Sequence, residues 1–142
     1  MATRVLGLDV GARRIGIALS DPLGLTAQGL TVLHRRGFSP DLEAVVRVAM
    51  QHGAETIVVG LPLTMRGERG TQARRVEAFA EALRQRGGMP VELVDERLTT
   101  VQGERSLREM ETSRRRRKRL IDQVAAQLIL QQYLDTHRNA GE

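Results

Sequence analysis

Arg4-Val5-Leu6-Gly7-Leu8-Asp9-Val10-Gly11-Ala12-Arg13-Arg14-Ile15-Gly16-Ile17-Ala18-Leu19-Ser20 is the stretch whose reading decides the fold. Two short apolar runs, residues 4–9 and 14–20, flank Val10-Gly11-Ala12-Arg13, the pattern of two strands joined by a hairpin turn. Residues 30–34 form a candidate third strand after a loop holding Pro22, Gly24 and Gly29. Ser39-Pro40-Asp41 announces a helix, with Ser39 as N-cap, Pro40 in the first helical position and an acid in the first turn. Leu42, Val45, Val46 and Ala49 continue at helical spacing, and Gly53 suits the C-terminal end.

Residues 56–60 (TIVVG) are apolar on both faces, as in a buried parallel strand. The loop 61–67 leads to a second helix from about Thr71, with Val76, Phe79, Ala80 and Leu83 on one face and Gly87-Gly88 as its stop. Residues 91–95 form another strand, ending Asp95-Glu96-Arg97. Thr99 with Gln102 three residues on reads as a capping box for a third helix, and residues 120–134 as a last one. Three strands, then helix–strand–helix–strand, then helices, make an α/β pattern. Strands after the first helix should run parallel to the first strand. In open sheets of this kind ligands gather at the carboxyl ends of the strands.

The chain has 142 residues, which suits one domain over residues 1–142, large enough to fold without disulfides or a structural metal. It contains no cysteine, so thiol catalysis, Cys-ligated zinc and iron–sulfur clusters are excluded. No apolar run reaches the length of a membrane span and no secretory segment is evident, so a cytoplasmic protein is expected.

Its net charge of +5, from 22 basic and 17 acidic residues, is unevenly spread. Residues 97–119 hold nine basic and three acidic side chains, and the remainder of the chain is close to neutral. The excess centres on Arg114, Arg115, Arg116, Arg117, Lys118 and Arg119, read as a basic, mobile loop at about 112–119. Such a block binds polyanions, nucleic acid above all. All but one of the basic residues are arginine, which genome composition explains as well as function does. With Phe38, Phe79 and Tyr133 as the whole aromatic complement, phosphate contact is expected rather than stacking on an aromatic platform.

Three carboxylate positions stand in apolar surroundings. Asp9 closes the first strand on the same face as Gly7, which leaves space beside it. Asp95 and Glu96 close the 91–95 strand, and alternation alone does not decide between them. Asp122 lies at the edge of an apolar stripe formed by Ala125, Ala126, Ile129 and Tyr133. Each has an ordinary structural alternative: a turn aspartate, a partner for Arg97, and a first-turn acid. Together they sit at the ends of elements that such a sheet would gather. Crowded carboxylates cannot all stay ionised without a cation, and hard oxygen donors without His or Cys select Mg²⁺ or Mn²⁺. Two such ions can activate water and stabilise the leaving oxygen of a phosphodiester. The three histidines lie at element ends with no serine partner, and neither a dinucleotide fingerprint nor a P-loop occurs.

Leu6-Gly7-Leu8-Asp9-Val10-Gly11 with Arg14-Ile15-Gly16-Ile17-Ala18, then Val59-Gly60-Leu61-Pro62-Leu63, then Asp95-Glu96-Arg97-Leu98-Thr99-Thr100, resemble the YqgF family, also called RuvX, over nearly the whole chain. Its members are described as pre-16S rRNA nucleases related to the RuvC Holliday junction resolvases. The resemblance implies a ribonuclease H-like fold: a five-stranded mixed sheet, the first three strands antiparallel, flanked by helices. It also implies that Asp9, Glu96 and Asp122 form a catalytic two-metal site for Mg²⁺ or Mn²⁺. Glu96 is taken over Asp95 because the related resolvases place a glutamate at this strand end. Arg97 and the 114–119 run are the expected nucleic-acid contacts.

The expected activity is metal-dependent hydrolysis of phosphodiesters, acting on RNA at the 5′ end of the 16S rRNA precursor, by a monomer or homodimer. The alternatives are a resolvase acting on branched DNA and a non-catalytic RNA-binding protein of ribosome assembly. The Asp9–Gly16 pattern also resembles the first phosphate loop of actin-like ATPases, but those need a second lobe for which the chain has no room.

Overall fold

The computed structural model describes residues 4–98 and 114–140, with side chains in the last segment described from 123 to 137. Its elements are β1 (Arg4–Val10), β2 (Arg14–Ser20), β3 (Ala27–His34), α1 (Phe38–Gln51), β4 (Ala54–Leu61), α2 (Thr71–Gly87), β5 (Val91–Asp95), a 3₁₀ turn (Glu96–Leu98) and α3 (Arg114–Ala140). The five strands form one sheet in the order β3-β2-β1-β4-β5. The β1–β2 and β2–β3 pairs are antiparallel, whereas β1–β4 and β4–β5 are parallel. The expected mixed sheet with three antiparallel leading strands is therefore the observed one. The 99–102 capping box falls outside the described residues. Among those described, no helix is long and apolar enough to cross a membrane.

Period-2 alternation sends side chains to two different cores. Leu6, Leu8 and Val10 of β1, Ile15 and Ile17 of β2, and Ile57 and Val59 of β4 pack with Leu42 and Val45 of α1 and Val76, Phe79 and Leu83 of α2. The intervening residues, Val5, Ala18 and Val58, pack under Ala125, Ala126, Ile129 and Leu130 of α3. The α3 face of the sheet is built of small residues, so this helix lies unusually near the strands. A methyl group built on Gly7 would stand 2.7 Å from Leu130 Cβ and 3.2 Å from the Ala126 carbonyl oxygen.

The third strand begins at Ala27, three residues before the expected start, so Gly29 lies within it, and two helix boundaries also differ from expectation. The first helix begins at Phe38 after Gly37, whose φ of 150° suits glycine, and Ser39 makes no capping bond. The capping work falls to Asp41 instead, 4% exposed, which accepts hydrogen bonds from the Arg36 and Gly37 N–H groups and from Arg35 Nε. The Ser39 hydroxyl accepts from Arg86. Burial works to raise the Asp41 carboxyl, and these donors outweigh it, so the group sits below its ordinary value. Its contribution is therefore present above the usual carboxylate range and is lost as pH falls through the depressed value. Asp41→Asn is expected to cost about 1–3 kcal/mol at neutral pH. The gap in urea midpoint between wild type and variant should close below about pH 4.

The second difference is at the arginine run. The expected loop at 112–119 is helical from Arg114 onward, so α3 starts six residues earlier than the apolar pattern indicates. Arginine is a good helix former, so the run can continue the helix that the apolar pattern alone places further on.

Candidate metal and nucleic-acid site

Two acidic side chains are buried at the carboxyl ends of the parallel strands. Asp9 and Glu96 are each 4% exposed. Asp9 shares the face of Val5 and Gly7, the one covered by α3. Register places its strand beside β4, with Leu8 opposite Val59, and β4 beside β5, with Gly60 opposite Val94. The two carboxylates thus end strands on either side of β4, with Gly60 between them.

Gly60 is what admits Glu96 to this face. A methyl group there would stand 2.8 Å from Glu96 Oε1 and would collide with Ile129 Cδ1 of α3. The Glu96 carboxyl consequently occupies the space over β4, below α3. Sequence reading treats residues 56–60 as an apolar run and misses this role. A glycine closing a strand next to a candidate site is the signal that could have found it.

Asp95 goes elsewhere. It accepts a hydrogen bond from the Arg97 backbone N–H at 2.9 Å and forms a two-oxygen ion pair with the Arg97 guanidinium, the shortest contact being 2.7 Å. The guanidinium holds the Asp95 carboxyl below its ordinary value. Arg97 also lies against Gly67, whose φ is +82° and where an added Cβ would meet the guanidinium at 3.1 Å. The pair therefore ties the end of β5 to the loop leaving β4. Of the two adjacent acids, it is Glu96 that turns inward.

The backbone of α3 brings a third acidic position to this end. Gln123 packs beside Gly29, and Gln131 bonds the Ala27 N–H and the Leu25 carbonyl, so α3 runs antiparallel to β3. As β3 and β1 both pair antiparallel with β2, α3 is antiparallel to β1 as well. Asp122 precedes Ala126, the neighbour of Gly7, by one helical turn, about 6 Å along the axis. Asp9 follows Gly7 by two strand residues, about 6.7 Å. The two positions come level at the same end of the sheet. The side chain of Asp122, like those of the 114–119 run, lies outside the described residues. Among the described residues no three acidic or histidine side chains form a cluster, and Asp9 and Glu96 each have a further interaction partner.

The donors Asp9 and Glu96 are hard oxygens held at the ends of the two strands that flank β4. That donor chemistry fits a divalent cation of the Mg²⁺ or Mn²⁺ type.

The family model described as "RuvX: Holliday junction resolvase" matches residues 3–136. A Moorella thermoacetica protein named "Putative pre-16S rRNA nuclease" is 55% identical over 132 residues, 93% of this chain and 94% of that one. A Myxococcus xanthus protein of the same name is 51% identical over 135 residues, 95% of this chain and 89% of that one. Among solved structures, T. thermophilus RuvC in complex with a Holliday junction substrate superposes with a TM-score of 0.61 at 17% identity, covering 96% of each chain. The Fowlpox virus resolvase with Holliday junction DNA gives 0.55 at 9% identity, over 94% of this chain and 98% of that one. At such identities these structures establish the ribonuclease H-like fold alone. On its sequence, over residues 3–136, the chain belongs to the RuvX family.

Proposed function

We propose that the protein is a divalent-metal-dependent nuclease that hydrolyses phosphodiester bonds in RNA, trimming the 5′ end of the 16S rRNA precursor in the cytoplasm. The observation that carries this reading is the pair of buried carboxylates, Asp9 and Glu96, at the ends of the two strands that flank β4, on the sheet face covered by α3. The names of the relatives at 51–55% identity supply the substrate class.

Asp9, Glu96 and Asp122 would hold the metal. When bound, such ions supply Lewis-acid activation of water and neutralise charge on the phosphate. The chain's own residues do the rest. Asp9 and Glu96, held on rigid strand ends, fix donor positions with little reorganisation. The Asp95–Arg97 pair keeps the β5 terminus in the conformation that turns Glu96 inward. Arg97 and the 114–119 cations attract and position phosphates, a contribution weakened by salt.

The family model's description favours a second reading, a resolvase cutting branched DNA. One assay separates the readings. The protein is incubated with labelled RNA spanning the 5′ end of the 16S precursor, with single-stranded DNA and with a four-way junction, in Mg²⁺, Mn²⁺ or EDTA. Cleavage of the RNA in either metal and none in EDTA is expected. Paired nicks confined to the junction would establish the resolvase instead. RNA binding without cleavage in any metal would point to an assembly factor.

A further inference from the structure

On the sheet face opposite Asp9, but at the same carboxyl end, a cleft of about 270 Å³ opens between the starts of α1 and α2. Its lining includes Phe38, Gln72, Arg75, Val76 and Arg35 together with the Val10-Gly11 backbone that follows Asp9 directly. Phe38 is half exposed, although it is anchored edge-on against the buried Phe79, ring centroids 5.8 Å apart. Arg35 is tied down by Asp41 and the Gly11 carbonyl. Gln72 reaches the Val10 carbonyl at 3.4 Å, so one amide hydrogen and its oxygen are available to a ligand. Arg75 is exposed and has no ion-pair partner among the described residues. Among the described residues no acidic side chain lines the cleft.

An apolar floor with one open aromatic ring, an amide and an unmatched guanidinium is the chemistry of a nucleotide subsite. The ring stacks a base, the amide bonds its edge, and the arginine takes the phosphate. A chain with three aromatic residues has no platform for several bases, but Phe38 suffices for one.

We propose that this cleft holds a single unstacked nucleotide of the strand whose neighbouring phosphate crosses the sheet edge at Asp9. The inference rests on the reading of the protein as a nucleic-acid enzyme, and names Phe38 and Arg75 as determinants of strand binding. Lying on the sheet face opposite the carboxylates, they orient the strand and take no part in bond cleavage. Seating a base here sets which phosphate lies over Asp9, and therefore where the strand is cut.

The test measures fluorescence anisotropy of a labelled single-stranded 12-nucleotide RNA with the full chain in EDTA, so that nothing turns over. Circular dichroism melting checks that Phe38→Ala and Phe38→Leu stay folded; leucine keeps the apolar contact with Phe79 and removes the π face. Both variants are expected to bind about 5- to 150-fold more weakly, and the difference should shrink on an RNA series carrying one abasic position at the seated nucleotide. Arg75→Ala should lower the slope of log affinity against log salt by about 0.7, and Arg75→Lys should restore it. AMP serves as the free-nucleotide arm. Wild-type strand affinity in the folded Phe38 and Arg75 variants overturns the proposal, as does a loss confined to AMP. Cleavage in Mg²⁺ is scored separately. A strand that binds through Phe38 and is never cut refutes the nuclease reading and leaves the cleft standing. A strand cut with unchanged KM by Phe38→Ala and Arg75→Ala does the reverse.

Discussion

Asp9→Asn is expected to lower the rate of phosphodiester hydrolysis by at least about 100-fold without unfolding the protein. Loss of a group that merely supports a metal ligand already costs roughly 10- to 100-fold, so removal of a ligand should cost no less, which at 1.36 kcal/mol per decade is about 2.7 kcal/mol of transition-state stabilisation. The substitution is nearly isosteric, and Asp9 is 4% exposed at the end of a central strand, so the shape of the site is kept while one anionic donor is removed. The readout that isolates the metal is thermal. A cation that binds the folded state at 100 times its Kd adds about 2.7 kcal/mol to stability, so Mn²⁺ should raise the Tm of the wild type and have little effect on Asp9→Asn. Full activity in the variant, or an equal Mn²⁺ response in both proteins, would sink the assignment of Asp9. Asp95→Asn provides the contrast. Its carboxylate is matched by Arg97, so it should retain the Mn²⁺ response and lose activity only as far as the β5 terminus loosens.

Much of this arrangement is legible in the sequence because it follows from local periodicity. Alternation in residues 4–9 and 14–20 gives the hairpin, both-sided apolarity in 56–60 gives a central parallel strand, and Gly87-Gly88 closes α2 with Gly88 in the left-handed region. Asp9 is visible because it ends the central strand on the Gly7 face. What was not legible depends on side-chain partners that periodicity does not specify. Ser39 has every local mark of an N-cap, yet the helix begins one residue before it, and Asp41, braced by Arg35 across the turn from β3, holds the Arg36 and Gly37 N–H groups at its start. The orientations of Asp95 and Glu96 are likewise not set by alternation: Arg97 engages Asp95, and the space above Gly60 admits Glu96. The arginine run reads as a loop if charge repulsion is weighed alone, whereas arginine is itself a good helix former and the backbone is helical from Arg114. The Phe38 cleft joins the ends of β1, α1 and α2, and no sequence window contains all three.

Gly7→Ala is expected to be strongly damaging for a single added methyl group. The added Cβ would stand 2.7 Å from Leu130 Cβ and 3.2 Å from the Ala126 carbonyl oxygen. Neither atom is the free end of a side chain, so α3 itself must move. Overpacking of this kind costs about 1–3 kcal/mol, or a fall in Tm of roughly 3–12 °C for a domain of this size. The functional loss should exceed what the lost stability explains, because α3 carries Asp122 one turn from the collision and a misplacement of about 1 Å in a reacting site can cost 100-fold. Gly29→Ala is the matched control on the same sheet face, under the same helix. There the new Cβ would meet only the Gln123 side chain, at 3.6 Å or more, which is ordinary contact. Alanine in a strand also restricts the unfolded chain more than glycine does, so this variant should be as stable as wild type or gain up to about 1 kcal/mol. If both variants melt together, close approach of α3 to β1 is not what positions the site. If Gly7→Ala melts low but, assayed well below its Tm, cuts RNA at the wild-type rate, then α3 can shift without disturbing the chemistry and Asp122 is not one of the ligands.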